Sequence, residues 1–123
     1  MRPRCILTAL CLFGSALCVL AQANQTVESK AKAGSLQGFV YYGVSDRDGS
    51  GVENVAVAEC SVGFKDCVFL THTDRNGHFA VQSTYQGNIH YLQFLSPGWC
   101  EARVTVTLVH NSKPLNVRLV IGS

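Results

Sequence analysis

An all-β fold of short strands is what this sequence predicts, on three observations. From Leu36 onward the chain is rich in Val, Tyr, Phe and Thr, residues that suit a pleated, half-buried surface. Turn-forming residues break that composition roughly every 8–12 positions, the spacing of a small sandwich or barrel. No stretch holds a helical period of apolar positions over about three turns, so any helix is expected to be short.

The first element is not part of the fold. The chain opens Met1-Arg2-Pro3-Arg4, runs apolar from Ile6 to Leu20 and reaches Ala21-Gln22-Ala23. A basic start, a short apolar run and a small-x-small end have the form of a secretory signal peptide over residues 1–23. A membrane anchor is the rival, but the apolar run is shorter than the roughly 20 residues needed to span hydrocarbon. A lipoprotein signal would place small residues before its cysteine, whereas Cys11 and Cys18 each follow leucine. Cleavage after Ala23 therefore predicts a secreted, periplasmic or cell-surface protein with no membrane span in its mature chain. Residues 24–35 are polar and read as a flexible lead-in. They begin with Asn24-Gln25-Thr26, a formal glycosylation sequon.

Residues 36–123 form the domain. Strands are expected at Leu36–Val44, Val55–Glu59, Cys67–Thr73, His78–Ser83, Ile89–Leu95, Arg103–Val109 and Leu115–Ile121. In Val104-Thr105-Val106-Thr107-Leu108 the apolar positions fall on one face and the threonines on the other. Leu115, Val117, Leu119 and Ile121 repeat that pattern, and Phe79 and Val81 follow it after the central turn. Without the two leader arginines, basic and acidic residues balance at 8 each. A neutral chain gives no electrostatic case for nucleic acid or an anionic membrane as partner.

Three cysteines remain after cleavage, Cys60, Cys67 and Cys100. In an exported protein they predict one disulfide and one thiol left over. Cys60–Cys67, across the Ser61–Asp66 segment, is the first choice of pair, with Cys100 as the alternative partner of Cys60. A zinc site is not expected, since no C-x-x-C spacing is present.

The order of the motifs resembles a known family. Gly38-x-Val40, a Gly-rich loop and Val52-x-Asn54-Val55-x-Val57 are followed by Thr73-Asp74-x-x-Gly77-x-Phe79, then by the aromatic strand around Tyr91 and Pro97-Gly98. Over roughly residues 36–121 this is similar to carboxypeptidase regulatory-like domains. The resemblance implies an all-β, seven-stranded Greek-key β-sandwich that is transthyretin-like (prealbumin-like), here preceded by a signal peptide. It also implies an exported, non-catalytic module of a class sometimes grouped with carbohydrate-binding-like folds.

The stretch Thr71–Val81 carries the sharpest question, because His72, Asp74 and His78 lie within it. Asp74, Asn76 and Gly77 predict a tight hairpin turn, Asn-Gly being suited to positive φ. A two-residue loop would point His72 and His78 to opposite faces. A bulge at Gly77 would pair Asp74 with His78 and gather His72, Asp74 and His78 on one face, the only register able to offer a metal three ligands. The hairpin is the preferred reading, with no metal and no cofactor expected. Asp46-x-Asp48-Gly49-Ser50-Gly51 resembles the start of a calcium loop, but Val57 occupies the position where an EF-hand needs a carboxylate.

Catalysis finds little support. No G-x-S-x-G appears, and no serine has a histidine and an acid at motif spacing. Transthyretin-like hydroxyisourate hydrolases end in Tyr-Arg-Gly-Ser, whereas this chain ends Val120-Ile121-Gly122-Ser123. The remaining functional lead is aromatic. Tyr41, Tyr42, Tyr85 and Trp99, together with Tyr91, exceed what one thin core must hide, and flat rings suit sugars or protein partners. The alternative is that most of them pack in the core or under loops. The expected function is a non-enzymatic binding or accessory module that presents loops and sheet faces to a protein or glycan; a carbohydrate-binding module and, more distantly, a transthyretin-like hydrolase are the alternatives.

Overall fold

The computed structural model describes residues 26–43 and 49–121. The signal peptide, Asn24 and Gln25 of the sequon, Asp46 and Asp48 of the calcium-like loop, and Gly122-Ser123 lie outside the described residues. Among the described residues nine strands follow one another: β1 (Thr26–Ala33), β2 (Gln37–Tyr42), β3 (Ser50–Gly51), β4 (Ala56–Cys60), β5 (Cys67–His72), β6 (His78–Ala80), β7 (Ile89–Leu95), β8 (Glu101–Leu108) and β9 (Leu115–Arg118). One short 3-10 turn, Val62–Phe64, joins β4 to β5.

The strands form two sheets. In the larger, the order is β1-β8-β7-β4-β5, antiparallel except for β1, which runs parallel to β8. In the smaller, β2 is central. It pairs antiparallel with β6 through Gln37–Phe39 and with β3 through Tyr41–Tyr42, and parallel with β9 through Gly38–Tyr41. Between the sheets lies one apolar core. The larger sheet gives it Val57, Leu92, Phe94, Ala102, Val104 and Val106; the smaller gives Val40, Phe79, Leu115 and Val117. The alternation expected for β8 and β9 is realised at Val104, Val106, Leu115, Val117 and Leu119, which face inward, but not at Ile121, which is exposed beyond the end of β9. Close approach of β2 and β9 depends on Gly38, where any Cβ would collide with the Leu115 carbonyl oxygen.

Seven of the strands correspond to the seven expected, with shifted ends. β6 stops at Ala80 rather than Ser83, because the chain turns there into a loop. β9 stops at Arg118, although Trp99 and Ile121 still meet in an isolated bridge. The flexible lead-in is a correction. From Thr26 to Ala33 the chain is an eight-residue edge strand, in register with Glu101–Leu108. Val27, Ala31 and Ala33 supply its inward side, and Glu28, Lys30 and Lys32 are exposed. Those charges blunt a sheet edge against further pairing, which explains why so polar a segment is a strand.

Candidate functional site

The tight turn expected at Asp74–Gly77 forms, but it joins β5 of the larger sheet to β6 of the smaller rather than closing a hairpin of two paired strands, and one buried threonine anchors the crossing. Thr73 Oγ1 donates to the Val52 carbonyl at 2.6 Å and accepts the Val55 N–H at 2.9 Å. Beyond it the Asp74 N–H donates to the His78 carbonyl, and the Gly77 N–H to the Asp74 carbonyl, both at 2.9 Å. Gly77 has φ +87°, so the register with a bulge at Gly77 is the one adopted. The Asp74 carboxylate accepts N–H bonds from Asn76 and His78, each at 2.9 Å. Those donors, led by the His78 N–H, hold its carboxyl below the usual range.

This register brings His72, Asp74 and His78 to one cleft of about 470 Å³, which Gln37, Gly38, Phe79, Ala80 and Pro114 complete. His78 Nδ1 stands 3.9 Å from Asp74 Oδ1, and both side chains are exposed. The His72 ring lies against Phe69, centroids 4.8 Å apart. The β4–β5 register slips between Val57 and Ala58, so Phe69 and His72 reach the same face although three positions apart. Among the described residues, no group of three His, Cys, Asp or Glu is arranged to hold a metal ion.

Beside the cleft lies an aromatic face. Val40 points into the core, so its neighbours Phe39 and Tyr41 point out from the smaller sheet. Their rings are parallel to within 6° at 5.8 Å, and the His78 ring lies 5.2 Å from that of Phe39. Across the strands Phe39 is flanked by His78 and Asn116, and Tyr41 by Arg118. The face therefore carries three rings, with an amide and a guanidinium alongside, and His78 makes it continuous with the cleft.

The other aromatics expected at a site are scattered. Tyr42 packs against Trp99 at 5.4 Å beside a smaller cleft of about 180 Å³ formed with Arg118, Leu119 and Ile121. Tyr85 is exposed on the β6–β7 loop and touches neither. Tyr91 faces out of the larger sheet, where Phe64 meets it edge-on at 5.3 Å and the Arg103 guanidinium lies 5.4 Å from the Phe64 ring. Only Tyr41 belongs to the aromatic face. Phe39 was missed by sequence reasoning, although the parity that sends Val40 inward sends Phe39 outward with Tyr41.

Cys60 and Cys67 form a disulfide, as expected, with Cα atoms 3.9 Å apart as directly opposed residues of β4 and β5. The alternative Cys60–Cys100 pairing is thereby excluded. The leftover thiol is a correction: Cys100 is itself disulfide-bonded and buried, and no described cysteine is free.

A second cluster was not foreseen at all. Glu59 on β4 and His90 on β7 point inward, each 2% exposed, with Glu59 Oε2 2.8 Å from His90 Nδ1. Ser83 Oγ donates to Glu59 Oε2 at 2.7 Å and also lies 3.0 Å from His90 Nδ1. Acid, histidine and serine are the parts of a hydrolytic triad, but the connections differ. In a triad, acid and serine engage opposite ring nitrogens. Here both engage Nδ1, while Nε2 donates to the Gly87 carbonyl at 2.9 Å, so the relay across the ring that defines a triad is not formed.

Compared with known proteins, the chain matches no family model and no curated protein. Its site is defined by geometry alone.

Proposed function

We infer that this chain is a non-catalytic binding module displayed outside the cytoplasm, and that the outer face of the smaller sheet, with the cleft beside it, receives the ligand. The observation that carries this reading is the parallel Phe39–Tyr41 pair, flanked by His78, Asn116 and Arg118 and leading into a cleft lined by Gln37, His72 and Asp74. Rings on a rigid sheet offer contact area at small entropic cost, and amide, imidazole and guanidinium groups add directional hydrogen bonds. Such a surface fits either a protein anchor or a sugar. The glycan reading is favoured, because the flat faces of pyranose rings stack on parallel aromatic rings.

Export is supported by the basic–apolar–small order of residues 1–23 and by the Cys60–Cys67 disulfide, which persists in oxidising compartments. No helix among the described residues is long and apolar enough to cross a membrane. The resemblance to carboxypeptidase regulatory-like domains supports the same accessory role, as does the wiring of Ser83, His90 and Glu59 against catalysis.

The test is a glycan-array and calorimetric comparison of the wild type with Phe39→Ala/Tyr41→Ala. At about 0.5–1.5 kcal/mol for each ring, the double variant is expected to bind its best glycan about 5- to 150-fold more weakly. Tyr85→Ala, remote from the face, serves as the control. A wild type that binds no glycan, or a double variant that binds as well as wild type, rejects the sugar assignment.

A further inference from the structure

The Glu59–His90–Ser83 cluster lies apart from the aromatic face, and its bonds run into a loop. From Ser83 to Gly87 the chain passes from β6 towards β7 outside the strands, and hydrogen bonds to Glu59, His90 and Ser83 fix it. The Thr84 N–H donates to Glu59 Oε1 at 3.3 Å, and Ser83 Oγ donates to Glu59 Oε2. Ser83 Oγ accepts the Tyr85 N–H at 2.9 Å, and the Gly87 carbonyl accepts His90 Nε2–H. The side-chain bonds from the core into Ser83–Gly87 pass through the buried acid or the buried histidine, while at the β7 end the Leu108 N–H donates to the Asn88 carbonyl at 2.7 Å. The loop presents Tyr85, 43% exposed, above a cavity of about 100 Å³ lined by Glu59, His90, Val62 and Ile89.

Proton counting gives the pair its behaviour. The Gly87 carbonyl can only accept, so His90 Nε2 carries a hydrogen. Glu59 and Nδ1, 2.8 Å apart, then need one shared proton between them. With one, the unit is a neutral, fully hydrogen-bonded pair. A second proton leaves a buried positive charge and deprives Ser83 and Thr84 of a carboxylate acceptor. With none, a buried carboxylate faces the Nδ1 lone pair. Either change places an uncompensated charge in a buried site, which is costly where a neutral pair is not. The strand residues opposite the pair are apolar: Val68 on β5 faces Glu59 and Val106 on β8 faces His90. Among the residues lining the cavity, only the phenols of Tyr85 and Tyr91 are otherwise ionisable, Cys60 being in its disulfide. Among the described residues that line the cavity or pair with Glu59 and His90 across the strands, none carries a charge to offset it.

We propose that Glu59, His90 and Ser83 form a proton-operated latch, which holds the Ser83–Gly87 loop closed while the pair carries one proton and releases it when the pair gains a second or loses the first. The sign follows from proton binding. On the acid side the open form binds more protons than the closed form, so closure strengthens as pH rises. On the alkaline side the open form binds fewer, so closure weakens as pH rises.

The test is amide hydrogen exchange of the whole chain across pH, corrected for intrinsic rates and read at Thr84 and Tyr85 against Leu92 and Phe94 in β7. The wild type is expected to show a bell-shaped loop protection that falls by up to about tenfold per pH unit outside its plateau, the slope of one proton, while the β7 amides stay protected. Glu59→Gln/His90→Gln is expected to make loop protection independent of pH. Ser83→Ala is expected to lower Thr84 and Tyr85 protection throughout, with the pair intact in the His90 ring NMR signals. Flat wild-type protection overturns the latch, as does a bell that survives in the double variant. Loss of β7 protection together with the loop also overturns it, since that is global unfolding. If the double variant does not fold, the wild-type profile and Ser83→Ala decide between the same outcomes.

Discussion

Gly77 permits the register on which the cleft depends. Its φ of +87° suits glycine, and a Cβ there would strike the Val40 carbonyl oxygen and come within 2.8 Å of the Gly51 Cα. Gly77→Val is therefore strained twice, once in its backbone and once by contact, and should cost about 3 kcal/mol or more. His72→Gln/His78→Gln should stay within about 0.5 kcal/mol, because both rings are exposed and neither accepts a buried bond. Thermal melts of the two variants check both; a collapse of the double-histidine variant would mean those rings hold the hairpin together. At this scale the turn residues were legible, since Asp74, Asn76 and Gly77 each have a local conformational reason to be where they are. The choice of register was not, because both loops satisfy the same residues locally. Pairing of Asp74 with His78 is selected by Thr73, whose hydroxyl bonds to Val52 and Val55 across the fold.

At the scale of elements, the disulfide turns a connection into a clamp. Cys60 and Cys67 close the segment that carries the Val62–Phe64 turn back over the larger sheet, where Phe64 sits at φ +60° against Tyr91 and Arg103. A bulky residue in the left-handed region is strained, and its ring contacts and the bridge hold it there. Cys60→Ala/Cys67→Ala should cost about 2–3 kcal/mol through the freed loop in the unfolded chain, read as a lower urea midpoint; an unchanged midpoint would show that the bridge is dispensable. Strands were legible where alternation is strong, as in β8 and β9. β1 was not, because an edge strand buries little: only Ala33 is fully covered, and Lys30 and Lys32 hide the alternation. The Glu59–His90–Ser83 cluster was illegible for another reason. Its members stand 24 and 31 positions from Glu59, and only the pairing of β4 with β7 brings them together.

At the scale of the whole molecule, two carboxylates tie parts of the sandwich together, and both are held below their usual range. Asp74 joins the two sheets through the hairpin, its carboxyl lowered first by the His78 N–H. Burial alone would raise Glu101, but the hydrogen bonds from Arg103, Gln93 and Thr26 outweigh it, and those partners join β8 to β7 and to β1. A carboxyl depressed in the folded state stabilises fully above its unfolded-state value and loses that contribution as pH falls through its folded-state value. The melting temperature should thus be insensitive to these two groups near neutrality and fall with acid below about pH 4. Asp74→Asn/Glu101→Gln should melt lower than wild type at pH 7, with a shallower acid decline, so that the two curves converge at low pH. Glu59 is unchanged between the two proteins, so the difference curve excludes the buried pair and reports only the hairpin and the β1–β8–β7 tie. Scanning calorimetry from about pH 2 to 7 reads it directly, and parallel curves would place the acid sensitivity of the fold in other carboxylates.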